Sequence, residues 1–574
     1  MHKYIAKIKT INKRVEFMGE TYAWGIEHDE DINKIATAYQ NVYGFSKDIN
    51  TNPYAVMINL LEWSFDRADR AITKKTVKWM DSYERCEAAT IYALKHNELD
   101  GNTRMQAKAL FDVVKRKAPQ CVHHLLDVVT KSAQVHYDAP SQNTALQATY
   151  IAEQHIADVI KKKIANPHYY PMDWQKFTSV DGLELTDEQA QILEMACKQD
   201  VMMLTAAGGC GKTTSVKAII EMLEANNYTY TLLAPTGISS KRLREATGRE
   251  AQTIHMFLTM SDNVGDYLIC DECSMCSVHL LSMLFDKVTD TTKIIFIADP
   301  SQLASIACGN IVEDMLDSGI VPVCNLSKVF RYNTSGIITI ATDVRNGVND
   351  HLTDTFTDYK FIETDTLVIK QIEQEYARLL ADGYSKDDVL ILSPFNKGDV
   401  GSLAINAAIQ AKFNPNELSK VWYTVNDVPI YFKVGDKVIN KKNEYAMPLV
   451  DDDTAFVANG DIGTVMEIVP DEKEPYMIVR YDCGDCIVDK AHIKNTLLAY
   501  AISIHSCQGS QAKAVIVVID RSHVRMLSRN LCYTSVSRAQ ERLILIGDEA
   551  AIQEGLKVQE EKIRDTWLRE ELTK

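Results

Sequence analysis

Short apolar runs alternate with longer amphipathic stretches along most of this chain. Residues 201–206 (VMMLTA) predict a buried strand, 213–225 (TTSVKAIIEMLEA) a helix and 230–235 (YTLLAP) a second strand. Residues 267–272 (YLICDE) and 293–299 (KIIFIAD) predict two more strands. This rhythm is that of a parallel sheet covered by helices, so the fold class is α/β. A second α/β stretch begins near 345, with 389–394 (VLILSP) as its clearest strand. From about 421 to 492 the pattern becomes β-only, with short strands broken by Gly-Asp turns at Gly435-Asp436 and Gly460-Asp461, which predicts a small barrel. The α/β rhythm returns at 497–504 and continues through 514–519 (AVIVVI) and 542–547 (RLILIG). Residues 1 to about 180 differ: apolar positions in 83–94 and 107–114 have helical spacing, and strand signals are few. The Pro-bounded segment 166–171 predicts a linker, and the charged tail places Ile563, Trp567 and Leu568 on one helical face.

Length and composition fit this picture. A chain of 574 residues has a soft prior of about four domains, and 46% hydrophobic with 24% charged residues is a globular balance. No apolar run reaches the ~18 residues of a membrane span, and the first residues lack a secretory core, so the expected compartment is the cytoplasm. The net charge of −16 argues against a basic nucleic-acid coat protein, but it is unevenly spread. Residues 1–180 hold 24 basic and 21 acidic residues, a balance of +3, which leaves −19 for the rest. The thirteen cysteines are expected to be thiols. Cys270, Cys273 and Cys276 have metal-ligand spacing, as do Cys483 and Cys486, but the first group ends a buried strand and the second sits in a hairpin turn.

The chemistry concentrates after the first strand. Ala206-Ala207-Gly208-Gly209-Cys210-Gly211-Lys212-Thr213-Thr214 lies between strand and helix, the context of a phosphate-binding loop. Amides from Gly208 onward face phosphate oxygens at a helix N-terminus, Lys212 neutralises phosphate charge, and the Thr213 hydroxyl suits Mg²⁺. Ala206 takes the place of the first glycine of the strict pattern. Asp271-Glu272 closes a second apolar strand; Asp271 suits Mg²⁺ and Glu272 can polarise a water. Gln302 follows the next strand at the same sheet edge, and Arg331 and Arg538 are candidates for transition-state charge.

In order, the chain reads LTDEQ (185–189), AAGGCGKTT (206–214), APTGISSKRL (234–243), TIH (253–255), DECSM (271–275), ADPSQL (298–303), VFR (329–331), SPFNKGDVG (393–401), VGDKV (434–438), NGDIG (459–463), AISIHSCQGSQ (501–511) and YTSVSRA (533–539). The series resembles that of a superfamily 1B DNA helicase, in the RecD-like branch that includes the Dda-like phage helicases, over about 181–550. The resemblance implies two RecA-like motor domains closing on ATP and stepping 5′→3′ along single-stranded DNA, with tailed duplex DNA as a further substrate, in replication, recombination or repair of a bacterial or phage system. It implies a mainly helical N-terminal domain (1–180), motor domain 1 (181–345), motor domain 2 in two parts (346–420 and 496–555), an SH3-like barrel inserted between them (421–495) and a charged C-terminal helix (556–574). Gln189 would read adenine; Gly208, Gly209, Cys210, Gly211, Lys212, Thr213, Thr214, Asp271, Glu272, Gln302, Arg331 and Arg538 would handle phosphates and Mg²⁺. Pro235, Thr236, Thr253, His255, Ser503 and His505 would lie along the DNA. Asn52-Pro53-Tyr54, residues 64–69 and Asp100 to Thr103 resemble the helix-hairpin-helix region of longer members of the branch.

Four positions depart from the pattern. Ala298 replaces a glycine, Ser506-Cys507 stand where Lys-Ser is usual, and Gln511 stands where Glu is usual. A further departure is one of length. The branch carries a strand-splitting β-hairpin between the TIH and DE motifs, and only residues 256–270 separate them here, too few for two paired strands. Two alternatives therefore stand beside a helicase: a translocase that separates strands poorly, and a nucleic-acid-binding scaffold with an inactive motor.

Overall fold

The computed structural model describes the whole chain except residues 1, 40, 262, 329–334, 365–366, 417–421, 426–427, 452, 470–474 and 560–563. Arg331 and Ile563 thus lie outside the described residues. The chain divides into two compact units. Among the described residues no helix is long and apolar enough to cross a membrane.

The first unit comprises residues 1–155, 307–309 and 564–567. Its helices start where the sequence supplies caps: Ser64 accepts from Arg67 N ahead of Phe65–Lys75, and Ser82 from Arg85 N ahead of Tyr83–Leu99. Their apolar faces bury Phe45, Trp63, Phe65, Ile72, Ala89, Val114 and Val128 in one core. The unit is not purely helical. Val135–Asp138, Asn143–Leu146 and Met105–Gln106 form a three-stranded antiparallel sheet, of strands too short to show a period in the sequence. Tyr54 donates to Asp69 Oδ1 at 2.6 Å, and Arg85 grips the same carboxylate with Nε and Nη2 at 2.8 and 2.9 Å. Tyr54 and Asp69, two of the residues carrying the helix-hairpin-helix resemblance, are therefore engaged in an internal network. In the same unit Trp567 packs edge-on against His136 and Tyr150, whose rings stack 3.5 Å apart.

The second unit holds the remaining residues and two parallel sheets. The first sheet has the order Val323–Leu326, Val201–Ala206, Lys293–Ala298, Tyr267–Cys270, Tyr230–Ala234, Ala251–Thr253. Its strands Val201–Ala206, Lys293–Ala298 and Tyr267–Cys270 are buried at every residue, which is why they appear in the sequence as unbroken apolar runs rather than alternations. The segment 166–171 is not a free linker. Lys293 Nζ, buried beside Asp200, donates to His168 O, and Tyr170 N donates to Cys197 O, so the segment is strapped along this sheet. The second sheet has the order Tyr359–Glu363, Ala539–Gly547, Ala512–Ile519, Val389–Ser393, Ala501–Ser503.

Between the two halves of the second sheet lies an antiparallel insert. Its main sheet runs Gly484–Val488, Tyr476–Tyr481, Ile462–Val469, Lys437–Asn440, Thr496–Leu498, with Glu444–Pro448 paired to Thr454–Val457 beside it. Phe432, Val438, Val457, Val465, Met477 and Val479 form its core. Strand Thr496–Leu498 closes this sheet; the parallel sheet resumes only at Ala501, a few residues later than the apolar pattern places it. Asp436 of VGDKV anchors the insert: its buried carboxylate accepts from Asn414, Tyr500, Gln410 and the Lys433 amide. Among the described residues after Lys557, helix is confined to Leu568–Thr573, and Trp567 precedes it in non-helical chain.

Candidate nucleotide site and nucleic-acid groove

The loop after Val201–Ala206 turns through Gly209 (φ 86°) and Gly211 (φ 84°) into helix Lys212–Ala225, a left-handed path that glycine makes without strain. Gln189 sits at the third position of helix Asp187–Lys198 in a capping box with Thr186. Its Nε2 donates to Gly211 O at 3.3 Å, so it already touches the loop. Asp271 and Glu272 follow strand Tyr267–Cys270, and Glu272 adopts a left-handed conformation (φ 51°), an uncommon posture for a residue with a β-carbon.

The charges converge. Burial works against the Lys212 ammonium, but Glu272, Asp299 and Asp271 outweigh it and hold its pKa above the ordinary lysine value. Burial, with the Glu272 charge beside it, pushes Asp271 up to about 6. Burial also opposes ionisation of Glu272, yet Lys212, Arg538 and Arg242 hold its carboxyl below the usual range. Among the described residues Glu272 Oε2 is buried with no hydrogen-bond partner. A buried, ionised oxygen left open is poised to accept a proton from water. A hydroxyl (Thr213) and a carboxylate (Asp271) are hard oxygen donors, so this donor set fits Mg²⁺.

The second sheet reaches into the same place through helix Arg529–Val536. Gly208 N donates to the Tyr533 hydroxyl at 3.1 Å, and that hydroxyl donates to Asp299 Oδ2 at 2.9 Å. Leu303 N donates to Thr534 Oγ1, Asn530 Nδ2 to Gln302 O, and Gln302 Nε2 to Asp299 Oδ2. Arg538 is buried, with Nε on Thr534 O, Nη1 on Ser510 O and Nη2 on Ser537 Oγ. Ala207, Gly208 and Gly209 face Arg345, Gln511 and Tyr533 across a cleft of about 40 Å³. That is room for a water, not a nucleotide, so a phosphate taking the Gly208 amide displaces Tyr533.

A larger groove of about 250 Å³ runs beside this site. Pro235, Thr236, Thr253, His255 and His505 all line it, and Ser503 does not: its buried hydroxyl lies behind Ser506, 2.8 Å from that residue's Oγ. Thr236 caps helix Gly237–Thr247, whose first turn opens on the groove. The insert supplies another wall through Lys441, Asn443, Asn459 and Gly460. A β-carbon on Gly237 would meet Ala458 Cβ at 2.0 Å, and one on Gly460 would meet Ile238 Cδ1 at 2.8 Å, so these glycines permit the insert to approach. Lys241 pairs with Asp482 across the same contact.

Tyr533, Arg345, Arg242 and Lys441 were not singled out by sequence reasoning. Tyr533 lies inside the YTSVSRA motif and Arg242 inside APTGISSKRL; Arg345 and Lys441 carried no local signal. The cysteine groups supply no ligand cluster among the described residues: Cys270, Cys273 and Cys276 are buried free thiols, and burial raises Cys273. Cys483 and Cys486 lie 3.8 Å apart between sulfurs.

A family described as an AAA domain matches residues 184–366, and one described as a UvrD-like helicase C-terminal domain matches residues 498–546. The chain is 29% identical over 380 residues to the "ATP-dependent RecD2 DNA helicase" of Deinococcus radiodurans, covering 64% of this chain and 50% of that protein. It is 26% identical over 438 residues to the "RecBCD enzyme subunit RecD" of Mycolicibacterium smegmatis, covering 67% and 75%. It is 33% identical over 171 residues to the "ATP-dependent DNA helicase dda" of Enterobacteria phage T4, covering 26% and 39%. The chain thus spans about half the length of the Deinococcus protein.

Proposed function

The chain belongs to the RecD-like branch of the superfamily 1B helicases, and from that premise we propose that it hydrolyses ATP to move 5′→3′ along single-stranded DNA. One observation carries the reading. The phosphate loop and Asp299 of the first sheet are hydrogen-bonded to Tyr533 on the second, and both sheets also wall the groove. A phosphate that breaks the Tyr533 contact shifts one wall of the groove against the other, which is how hydrolysis becomes movement.

In this reading Lys212 and the loop amides hold the β- and γ-phosphates, and Glu272 orients the attacking water and takes its proton. Arg538 swings from its carbonyl partners to the charge that develops on the transferring phosphoryl. Thr213 and Asp271 would hold Mg²⁺, which when bound neutralises phosphate charge. The groove takes single-stranded DNA along Pro235, Thr236, Thr253, His255 and His505. The insert is assigned to the SH3-like barrel class and braces the strand; the N-terminal unit contributes duplex contacts. Gln189 reads the adenine edge once released from Gly211.

A second reading has its own support. Helix Ile254–Met260 runs through residues 261–266 into strand Tyr267–Cys270, and among the described residues of 256–266 there is no strand. A motor without the splitting hairpin moves on DNA while separating strands poorly. ATP turnover with and without oligothymidylate tests the motor itself. Turnover should rise with the oligonucleotide and vanish in Lys212→Ala while the fold persists by circular dichroism. A variant that turns over ATP at the parent rate would refute the phosphate-loop assignment, and a parent with no turnover would leave the scaffold.

A further inference from the structure

Resting on the single-strand reading of the groove, we propose that Lys441 of the β insert supplies the groove's phosphate-binding cation, in the place left by Ser506. The motif series usually carries lysine at position 506, and here serine stands there. Lys441 comes from a different element, about 65 residues earlier in the chain, and delivers its Nζ to Ser506 Oγ at 2.9 Å. An ammonium therefore sits at the tip of the side chain that lacks one.

Lys441 is held there by its backbone. It follows strand Lys437–Asn440, and its amide donates to Asn495 O at 2.7 Å. The Asn440 amide group donates to Val457 O and Ala458 O, and Asn459 N donates to Asn443 Oδ1 at 2.8 Å. The 441–443 and 458–461 turns are thereby tied together, and the second packs on Gly237. Of the residues that line the groove, Lys441 alone is a lysine or arginine; the others are neutral or histidine. Among the described residues its side-chain partner is the Ser506 hydroxyl, and burial lowers its pKa with no carboxylate to offset that. A part-buried cation whose partner is a hydroxyl is incompletely compensated, and a phosphodiester oxygen supplies what is missing. The sequence departure and the ammonium meet at one atom, so the insert is part of the DNA site itself.

The test uses the full chain, a labelled oligothymidylate and anisotropy over a salt series. Lys441→Ala should bind on the order of tenfold more weakly. The slope of log affinity against log salt should fall by about 0.7, the loss of one single-strand phosphate contact. Lys441→Arg should keep the parent slope. Placing Ser506→Lys in the Lys441→Ala background should restore both affinity and slope, because the charge returns to the same point from the other side. Lys441→Gln, which keeps the stem, repeats the reading if the alanine variant melts early. Parent-like affinity and slope in Lys441→Ala, or weakened binding with an unchanged slope, overturns the proposal. A slope that stays low in the double variant overturns the placement at Ser506. A parent chain that does not bind the oligonucleotide instead removes the nucleic-acid reading, an outcome distinct from all of these.

Discussion

Arg538 is buried with all three guanidinium nitrogens engaged by Thr534, Ser510 and Ser537, yet its charge is felt at Glu272. It contributes to the field around the phosphate loop before it touches anything there. Arg538→Ala should therefore leave nucleotide affinity within about threefold and lower hydrolysis by ~10³-fold, the size of such an arginine's contribution to phosphoryl transfer. Fluorescent-ADP titration beside steady-state turnover checks this, and equal losses in both would make Arg538 a packing residue. Tyr533 shows the same economy. Its hydroxyl accepts from Gly208 and donates to Asp299, and burial with that carboxylate raises its pKa well above the usual value. It stays a neutral two-way hydrogen-bonding link. Gln189 and Lys212 stand in local motifs, and the structure brings Gln189 onto Gly211, the residue before Lys212. Lys441 and Arg345 stand in no such motif: their relation to the sites is one of space and no local pattern announces it.

At the scale of elements, a helix turn carries its own acid sensitivity. The 3₁₀ turn Arg521–Met526 is capped by Asp520, and the buried His523 ring accepts from Asp520 N at 2.9 Å. Burial pushes His523 down to about 4, against the raising effect of Asp520. Because the folded pKa lies below the ordinary 6.5, this cap's contribution is fully present above pH 6.5 and is lost as pH falls towards about 4. The melting temperature of the parent should fall across that window, and His523→Asn, which offers an uncharged acceptor, should flatten the fall. Unchanged slopes would place the acid sensitivity elsewhere. Four inner strands of the first sheet were readable because burial makes them continuous apolar runs, whereas the edge strands Val323–Leu326 and Ala251–Thr253, with interrupted burial, were not. Strand Thr496–Leu498 was assigned to the wrong sheet because the gap between it and Ala501–Ser503 is two residues, Ala499 and Tyr500, both of them buried. Apolar content cannot say which partner a strand pairs with.

For the whole molecule, the short spacing between Met260 and Tyr267 bears on what the proposed motor would accomplish. A 5′-tailed duplex should be unwound with an amplitude that falls as the duplex lengthens, while single-strand-stimulated ATP turnover stays constant, and a 3′-tailed duplex should not be unwound. Equal amplitudes on short and long duplexes would show that another element splits strands efficiently. The sequence by itself determined the parallel α/β core, the Gly-rich turn between strand and helix, the acidic pair at a strand end and the short spacing between TIH and DE. Each of these depends on residue type at fixed short spacing, where local chemistry and hydrophobic period act directly. Tertiary structure alone decided that VGDKV is an anchor through the buried Asp436, that Tyr54 and Asp69 join a buried network, and that the insert's turns wall the groove. Those depend on which surfaces meet after folding. Lys441 reaches Ser506 only because Gly237 and Gly460 let two elements approach, a contact set by packing between residues far apart in the chain.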